Sequence, residues 1–280
     1  MLGALIIVFR EIIEAGLIVG IVLAVTQGVR GSRLVIGAGV AAGVAGACLV
    51  AAFAGVLAEA MAGVGQEIFN AAILLVAVVM LIAHNVWMAS HGRALALEVK
   101  TVGEAVRTGG RSIAALGIVC AVAVMREGSE IALFMYGLAA SAGSTAEDLL
   151  LGSALGLAAG VAVTALTYFG LVTIPQRKLF AVTTVLISLL AAGLAAQAVS
   201  FLQQAGVISV LSDTAWDTSA ILSDTSLPGR VLRTLIGYSD QPSVMQVVVY
   251  FGVLALIVAL TKTAGARRAP APKPVGAPAE

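Results

Sequence analysis

Apolar residues run along this chain in long blocks, without the strict alternation of a half-buried strand or the single stripe of a surface helix. Seven blocks approach or exceed the ~20 mainly apolar residues needed to cross a bilayer: residues 2–27, 34–58, 67–90, 113–140, 148–173, 179–203 and 244–261. Two polar connections stand out. Residues 91–112 carry Arg93, Lys100, Arg107 and Arg111, and residues 204–243 carry Asp213, Trp216, Asp217, Asp224 and Asp240. Beyond the last block, residues 263–280 are rich in Ala and Pro and are expected to form a disordered tail. The pattern predicts an all-α membrane protein with seven transmembrane helices, in one transmembrane domain over residues 1–262.

Composition points the same way. Only 11% of the residues are charged and 60% are hydrophobic, whereas a soluble domain carries about 25% charged residues. A net charge of +1 offers no basic surface for a nucleic acid. Cys48 and Cys120 have no metal-type spacing and read as small apolar helix residues. The first block has no basic segment before it and is interrupted by Arg10, Glu11 and Glu14, so it reads as a retained helix, not a secretory signal.

Charge orients the helices. One set of connections holds Arg30, Arg33, the basic residues of 91–112, Arg177, Lys178 and the tail's Lys262, Arg267, Arg268 and Lys273; the other holds only Arg230 and Arg233. The positive-inside rule makes the first set cytoplasmic, with the N-terminus outside and the C-terminus inside.

The motif Arg10-Glu11-Ile12-Ile13-Glu14 recurs as Arg126-Glu127-Gly128-Ser129-Glu130, an offset of 116, and Ala41–Ala45 resembles Ala158–Ala162 at 117. A three-helix unit, residues 1–91, would thus repeat as residues 113–203. An odd number of helices per unit inverts the second copy, with the 204–243 segment and a seventh helix, 244–261, following. Such repeats place substrate sites near the bilayer midplane. Within each motif the Arg and the second Glu are spaced i,i+4, so the guanidinium can hold that carboxylate and leave the first Glu freer. Gly16 and Gly20 lie on the opposite face, where a neighbouring helix can pack closely.

Four carboxylates against two guanidiniums leave a formal −2 inside the membrane, where each charge costs roughly 2.5–3.5 kcal/mol on insertion scales. A bound multivalent cation would offset that excess, and oxygen-only ligands favour iron, Mn, Mg or Ca. No Cys or His pairs with the motifs in sequence, which argues against a soft-metal site. Two other readings use the same residues: an intramembrane acid/base enzyme with Arg as an anion clamp, or ion pairs that only orient their helices. Glu67, Asn70, Glu147 and Asp148, with Glu59 and Gln66, form a candidate outer entrance. His84 and His91 share a helix face near the cytoplasmic end; they read as packing or interfacial residues, with a metal relay as the alternative. No GxxxxGK[ST] loop is present, so the chain carries no nucleotide-binding signature for ATP-driven transport.

Paired Arg-Glu-x-x-Glu motifs in helices one and four of seven resemble the oxidase-dependent, high-affinity iron permeases of bacteria and fungi. The stretch Trp216-Asp217-Thr218-Ser219-Ala220-Ile221-Leu222-Ser223, with Gly237-Tyr238 before Pro242-Ser243, is similar to the bacterial members. The resemblance implies iron uptake across the cytoplasmic membrane. It implies that Glu11, Glu14, Glu127 and Glu130 bind iron, with Arg10 and Arg126 beside them. It also implies an extracytoplasmic iron-oxidising or iron-binding partner, with iron as transported substrate and no resident cofactor. The family's usual motif is Arg-Glu-Gly-Leu-Glu; here Ile12 stands for the glycine of the first copy and Ser129 for the leucine of the second. Bacterial relatives often carry an acid where Asn70 stands.

Overall fold

A helix occupies each apolar block in the computed structural model, which describes residues 1–61, 66–141, 145–170 and 176–266. The long helices are α1 (Leu2–Val25), α2 (Ser32–Met61), α3 (Gln66–Arg107), α4 (Ala114–Ala140), α5 (Ala146–Tyr168), α6 (Gln176–Gln204) and α8 (Val244–Ala266). A short α7 (Leu227–Ile236) lies between α6 and α8. No strand occurs among the described residues, only an isolated bridge between Thr214 and Ser243. Five of the helices are long and apolar enough to cross a membrane by composition alone, within α2, α3, α5, α6 and α8. The other two long helices, α1 and α4, have 24 and 27 residues, and each is interrupted by an Arg-Glu-x-x-Glu motif. Leu34, Leu49 and Phe53 on α2 and Leu150, Leu155 and Val161 on α5 are exposed, the outward apolar surface expected of a chain whose solvent is lipid.

Two expectations need correction. The third helix, expected over 67–90, runs unbroken for 42 residues to Arg107, so that much of the 91–112 connection is helical. Its last turns are amphipathic, with Val99 and Val106 buried, Leu97 exposed and Lys100 paired with Glu104 at 3.8 Å. A helix needs only its own backbone bonds to continue past the apolar run. The tail also begins later than expected, because α8 extends to Ala266; the rest of it, residues 267–280, lies outside the described residues.

α1 and α4 run in opposite directions. Gly3 at the start of α1 meets the Leu138 side chain near the end of α4, while Gly31 after α1 meets Ile113 just before α4. The most extensive helix pairs are α2 with α4 and α1 with α5. Both depend on glycine. A Cβ added to Gly43 would meet Ala121 O, Val124 Cβ and Met125 N at 2.7, 2.8 and 3.0 Å. One added to Gly156 would meet Leu5 O at 2.6 Å and both Val8 Cβ and Phe9 N at 3.0 Å. These neighbours are equivalent positions of α4 and α1, at the motif offset of 116, whereas the two glycines differ by 113. The Ala-Gly match at 117 was therefore one helical turn out of register with the packing. One turn further on, the pairing recurs with sizes exchanged: Gly128 faces Ala47, and Ile12 faces Gly160. The departure at Ile12 is accommodated by the glycine opposite it. Gly16 also meets α5, at Thr164, but nothing lies within 4 Å of a Cβ at Gly20.

Two apolar clusters fill the bundle. One joins Ile7 of α1, Leu74 and Leu81 of α3, Phe134 and Leu138 of α4, and Ile187 and Leu190 of α6. The other joins Ile18 and Val22 of α1, Val99 of α3, and Leu116 and Cys120 of α4. The interval between them on α1, α3 and α4 contains the first motif, His84 and the second motif respectively.

Residues 204–243 fold back on themselves. Ala215 N donates to Pro242 O at 2.8 Å, Thr218 N to Asp240 O at 2.9 Å, and the Tyr238 hydroxyl to Leu222 O at 2.7 Å. Ser226 caps α7 by accepting from Gly229 N at 3.1 Å, and Gly237, at φ 70°, ends that helix in a left-handed conformation. Asp217 accepts from the Ser219 hydroxyl and backbone N–H and from Gln241, which holds its carboxyl below the usual range. Exposed Cys48 and buried Cys120 are both free thiols.

The exchanged sizes at Ile12 and Gly160 generate a stability prediction. Gly160→Val should overpack the contact and cost about 1–3 kcal/mol, seen as a lower thermal midpoint of the purified protein in detergent. Adding Ile12→Gly should recover most of that loss.

Candidate metal centre

Three helices bring ionisable side chains into the interval between the apolar clusters. On α1, Arg10 Nε lies 2.9 Å from Glu14 Oε1 and Arg10 Nη1 lies 3.9 Å from Glu11 Oε1. On α4, Arg126 Nε lies 3.2 Å from Glu130 Oε1 and 3.8 Å from Glu127 Oε1. In both motifs the guanidinium lies closer to the second glutamate than to the first, but only Arg126 donates a hydrogen bond, from Nε to Glu130 Oε1. Both oxygens of Glu11 and of Glu14, and Oε2 of Glu127, make no hydrogen bond. Glu11 is fully buried, and Arg10, Glu14 and Glu127 are at most 3% exposed. A carboxylate left unbonded in such surroundings is costly unless a cation meets it.

The third contributor is His84 of α3, expected above to serve packing or the interface. It stands between the motifs. Its Nε2 lies 3.5 Å from Glu14 Oε2 and 3.8 Å from Glu11 Oε2, and its Nδ1 contacts Glu130 Oε2. Ligand atoms of Glu11, His84, Glu127 and Glu130 all fall within 4.8 Å of one another. Opposite ligands of an octahedral ion with bonds of ~2.1 Å lie about 4.2 Å apart, so the group is close to the size of one coordinated ion. The sequence did contain a signal for His84, since an ionisable side chain inside a membrane helix is a functional candidate by default. It was discounted because α3 was expected to end at residue 90, which put His84 near a helix end; the helix continues for another 17 residues.

The two guanidiniums differ. Arg10 is sealed, whereas the Arg126 side chain is 33% exposed. Arg126 Cζ lies 3.7 Å from the centre of the Trp87 ring, a cation–π contact, and Trp87 stacks on His91 with ring centres 5.2 Å apart. His91 therefore joins an aromatic stack one turn beyond Trp87, which agrees with the packing role expected of it.

A cavity of about 920 Å³ lies beneath the 204–243 segment, where Met1, Asp148, Gln204, Trp216 and Arg233 are among its lining residues. Asp148 is there, 3.7 Å from the terminal amine of Met1. Glu67, Asn70 and Glu147 are not among the lining residues. The side chain of Glu59 lies outside the described residues. The cavity wall includes Gly3 and Leu138, which stand ~10 Å from Arg10 and ~12 Å from Glu130 along α1 and α4 at 1.5 Å per residue.

The profile of the Iron permease FTR1 family matches residues 1–264. The chain belongs to that family. Its relatives include the ferrous iron permease EfeU of Shigella flexneri, 35% identical over 205 residues, or 72% of this chain and 86% of the relative. The ferrous iron permease EfeU of Escherichia coli O157:H7 is also 35% identical, over 72% of this chain and 74% of its own length. No solved structure matches the chain. Within the Iron permease FTR1 family the chain is thus a multi-pass membrane transporter, with iron as its transported substrate.

The unequal burial of the arginines separates their roles in stability. Arg10→Gln strips the sealed carboxylates of their counter-charge and should cost about 3–5 kcal/mol. Arg126→Gln should cost less, because solvent and Trp87 share that side chain. The monodisperse fraction and thermal midpoint of the two variants in detergent would check the order.

Proposed function

We propose that this iron permease imports iron across the cytoplasmic membrane through one site made jointly by both motifs. Glu11, Glu14, Glu127 and Glu130 bind the ion, and Arg10 and Arg126 orient the carboxylates and limit their excess charge. The observation that carries this reading is the convergence of the motif carboxylates from antiparallel α1 and α4, with unbonded oxygens of Glu11 and Glu127 in a buried interval. Carboxylates that only oriented their own helices would have no need to meet.

In this reading all seven long helices span the membrane as one permease domain, residues 1–262. Residues 1–91 and 113–203 form two inverted three-helix repeats, followed by the outer 204–243 segment and the spanning helix at 244–261. The opposed directions of α1 and α4, and the equivalent glycine contacts at Gly43 and Gly156, support the inversion. The excess of Lys and Arg on one set of connections supports an outside N-terminus and an inside C-terminus. The ion enters by the cavity beneath the 204–243 segment, where Asp148 stands. Delivery by an extracytoplasmic iron-oxidising or iron-binding protein is carried over from the family resemblance alone.

Glu11→Gln and Glu127→Gln keep shape but remove charge and ligand strength. Each should reduce radiolabelled iron uptake into vesicles by at least ~10-fold, on the scale of losing a group that acts on a metal ligand, while the protein still inserts and folds. Well-folded variants with normal uptake would refute the site. Reporter fusions should place residues 93–107 inside and residues 204–243 outside; an inside signal from the latter would remove the orientation and the entry route together.

A further inference from the structure

Four carboxylates alone make a site that distinguishes poorly among hard divalent cations, because oxygen ligands suit Mg, Ca and Mn as well as iron. His84 alters the donor set. Its ring is buried at 6% exposure, between the motifs, and it comes from α3, a helix that carries no motif. Nε2 faces the two carboxylates of α1, at 3.8 Å from Glu11 and 3.5 Å from Glu14, while Nδ1 faces Glu130 of α4. The carboxylate oxygens near it include Oε2 of Glu11, which no protein group hydrogen-bonds. His84 also shares the 4.8 Å group with Glu11, Glu127 and Glu130. Among the described residues, the nitrogen ligand grouped with Glu11 and Glu127 is therefore the imidazole of His84.

We propose that His84 is a nitrogen ligand of the transport site, and that it makes the site select ferrous iron over manganese, magnesium and calcium. The proposal rests on the reading that the two motifs form the iron site, and it names the ion that site is built to pass. Imidazole suits iron, copper, nickel and zinc, whereas the cations excluded here are those best served by carboxylate and water. Affinity at a nitrogen-containing site also rises from Mn to Fe along the divalent series. Of the three ligating helices, α3 alone contributes nitrogen, so selectivity and charge neutralisation are divided between different parts of the fold.

The test uses the full chain, purified in lipid nanodiscs and loaded with Mn²⁺ as a paramagnetic probe. Pulsed EPR should show imidazole ¹⁴N coupling in the wild type and in His91→Gln, and none in His84→Gln. Anaerobic competition should show the preference for Fe²⁺ over Mn²⁺ falling ~10-fold or more in His84→Gln, the scale on which partners of a metal site change affinity. His84→Glu, which restores an oxygen ligand in the same place, should bind Mn²⁺ at least as well as the wild type and still lack that preference. Because it is judged on bound metal, it keeps the test decisive should His84→Gln fold poorly. Absence of ¹⁴N coupling in the wild type, or an unchanged Fe²⁺ to Mn²⁺ preference in either His84 variant, would overturn the proposal. Failure of the underlying reading has its own signature: Mn²⁺ would bind Glu11→Gln as tightly as the wild type, so the metal would sit elsewhere and His84 would lose its assignment as well.

Discussion

An excess of buried negative charge is the constraint around which this fold is arranged. Four glutamates on α1 and α4 occupy the interval between two apolar clusters, and three of them, Glu11, Glu14 and Glu127, are buried there at a high desolvation cost. Each motif supplies one arginine, which lies closer to the glutamate one turn away than to the adjacent one. Both oxygens of Glu11 and of Glu14, and Oε2 of Glu127, still make no hydrogen bond at the level where α3 brings its histidine. Without α3 the motifs would lose the imidazole that stands between them, and only the arginine of each motif would face its carboxylates. Packing of the bundle and compensation of its buried charge are thus one problem in electrostatics, solved by helix position.

Helix position is controlled on the opposite sides of α1 and α4. Their outer faces are gripped by α5 and α2 through contacts in which glycine admits backbone carbonyls and Cβ atoms to within about 3 Å of where a side chain would begin. In lipid no hydrophobic force draws helices together, so close van der Waals packing at small residues must do so. The inner faces can then carry bulky ionised side chains. Variation is tolerated provided volume is conserved across each contact, as the pairs Ile12 with Gly160 and Ala47 with Gly128 illustrate.

Much of this was legible in the order of residues. Apart from the C-terminal end of α3, the apolar blocks locate the long helices to within about five residues, and the spacing of Arg10 and Glu14 foretells the pairing seen. What periodicity cannot convey is which helix lies opposite which. The face of α3 that carries His84 was visible, but its neighbours were not, so the imidazole looked like a packing residue. The length of α3 escaped for a related reason: an apolar run ends where lipid ends, whereas a helix ends where its backbone bonding is interrupted. Asn70 and Glu67 share a chain end with Asp148 in the sequence reading, yet only Asp148 lines the cavity, because loop charges gain their meaning from the folded path of residues 204–243.

The glycine contacts also limit how the molecule can move. Two helices whose backbones touch cannot slide by a fraction of a residue without collision, so α1 with α5 and α2 with α4 each behave as a single mechanical body. Each body carries one Arg-Glu-x-x-Glu motif on its inner side. The faces between the bodies meet through apolar side chains of both clusters and through His84 of α3, which reaches both motifs; such side-chain contacts re-form with less resistance than interlocked backbone. Any rearrangement that admits or releases an ion will therefore change the distance between the two motifs and leave the geometry within each motif intact.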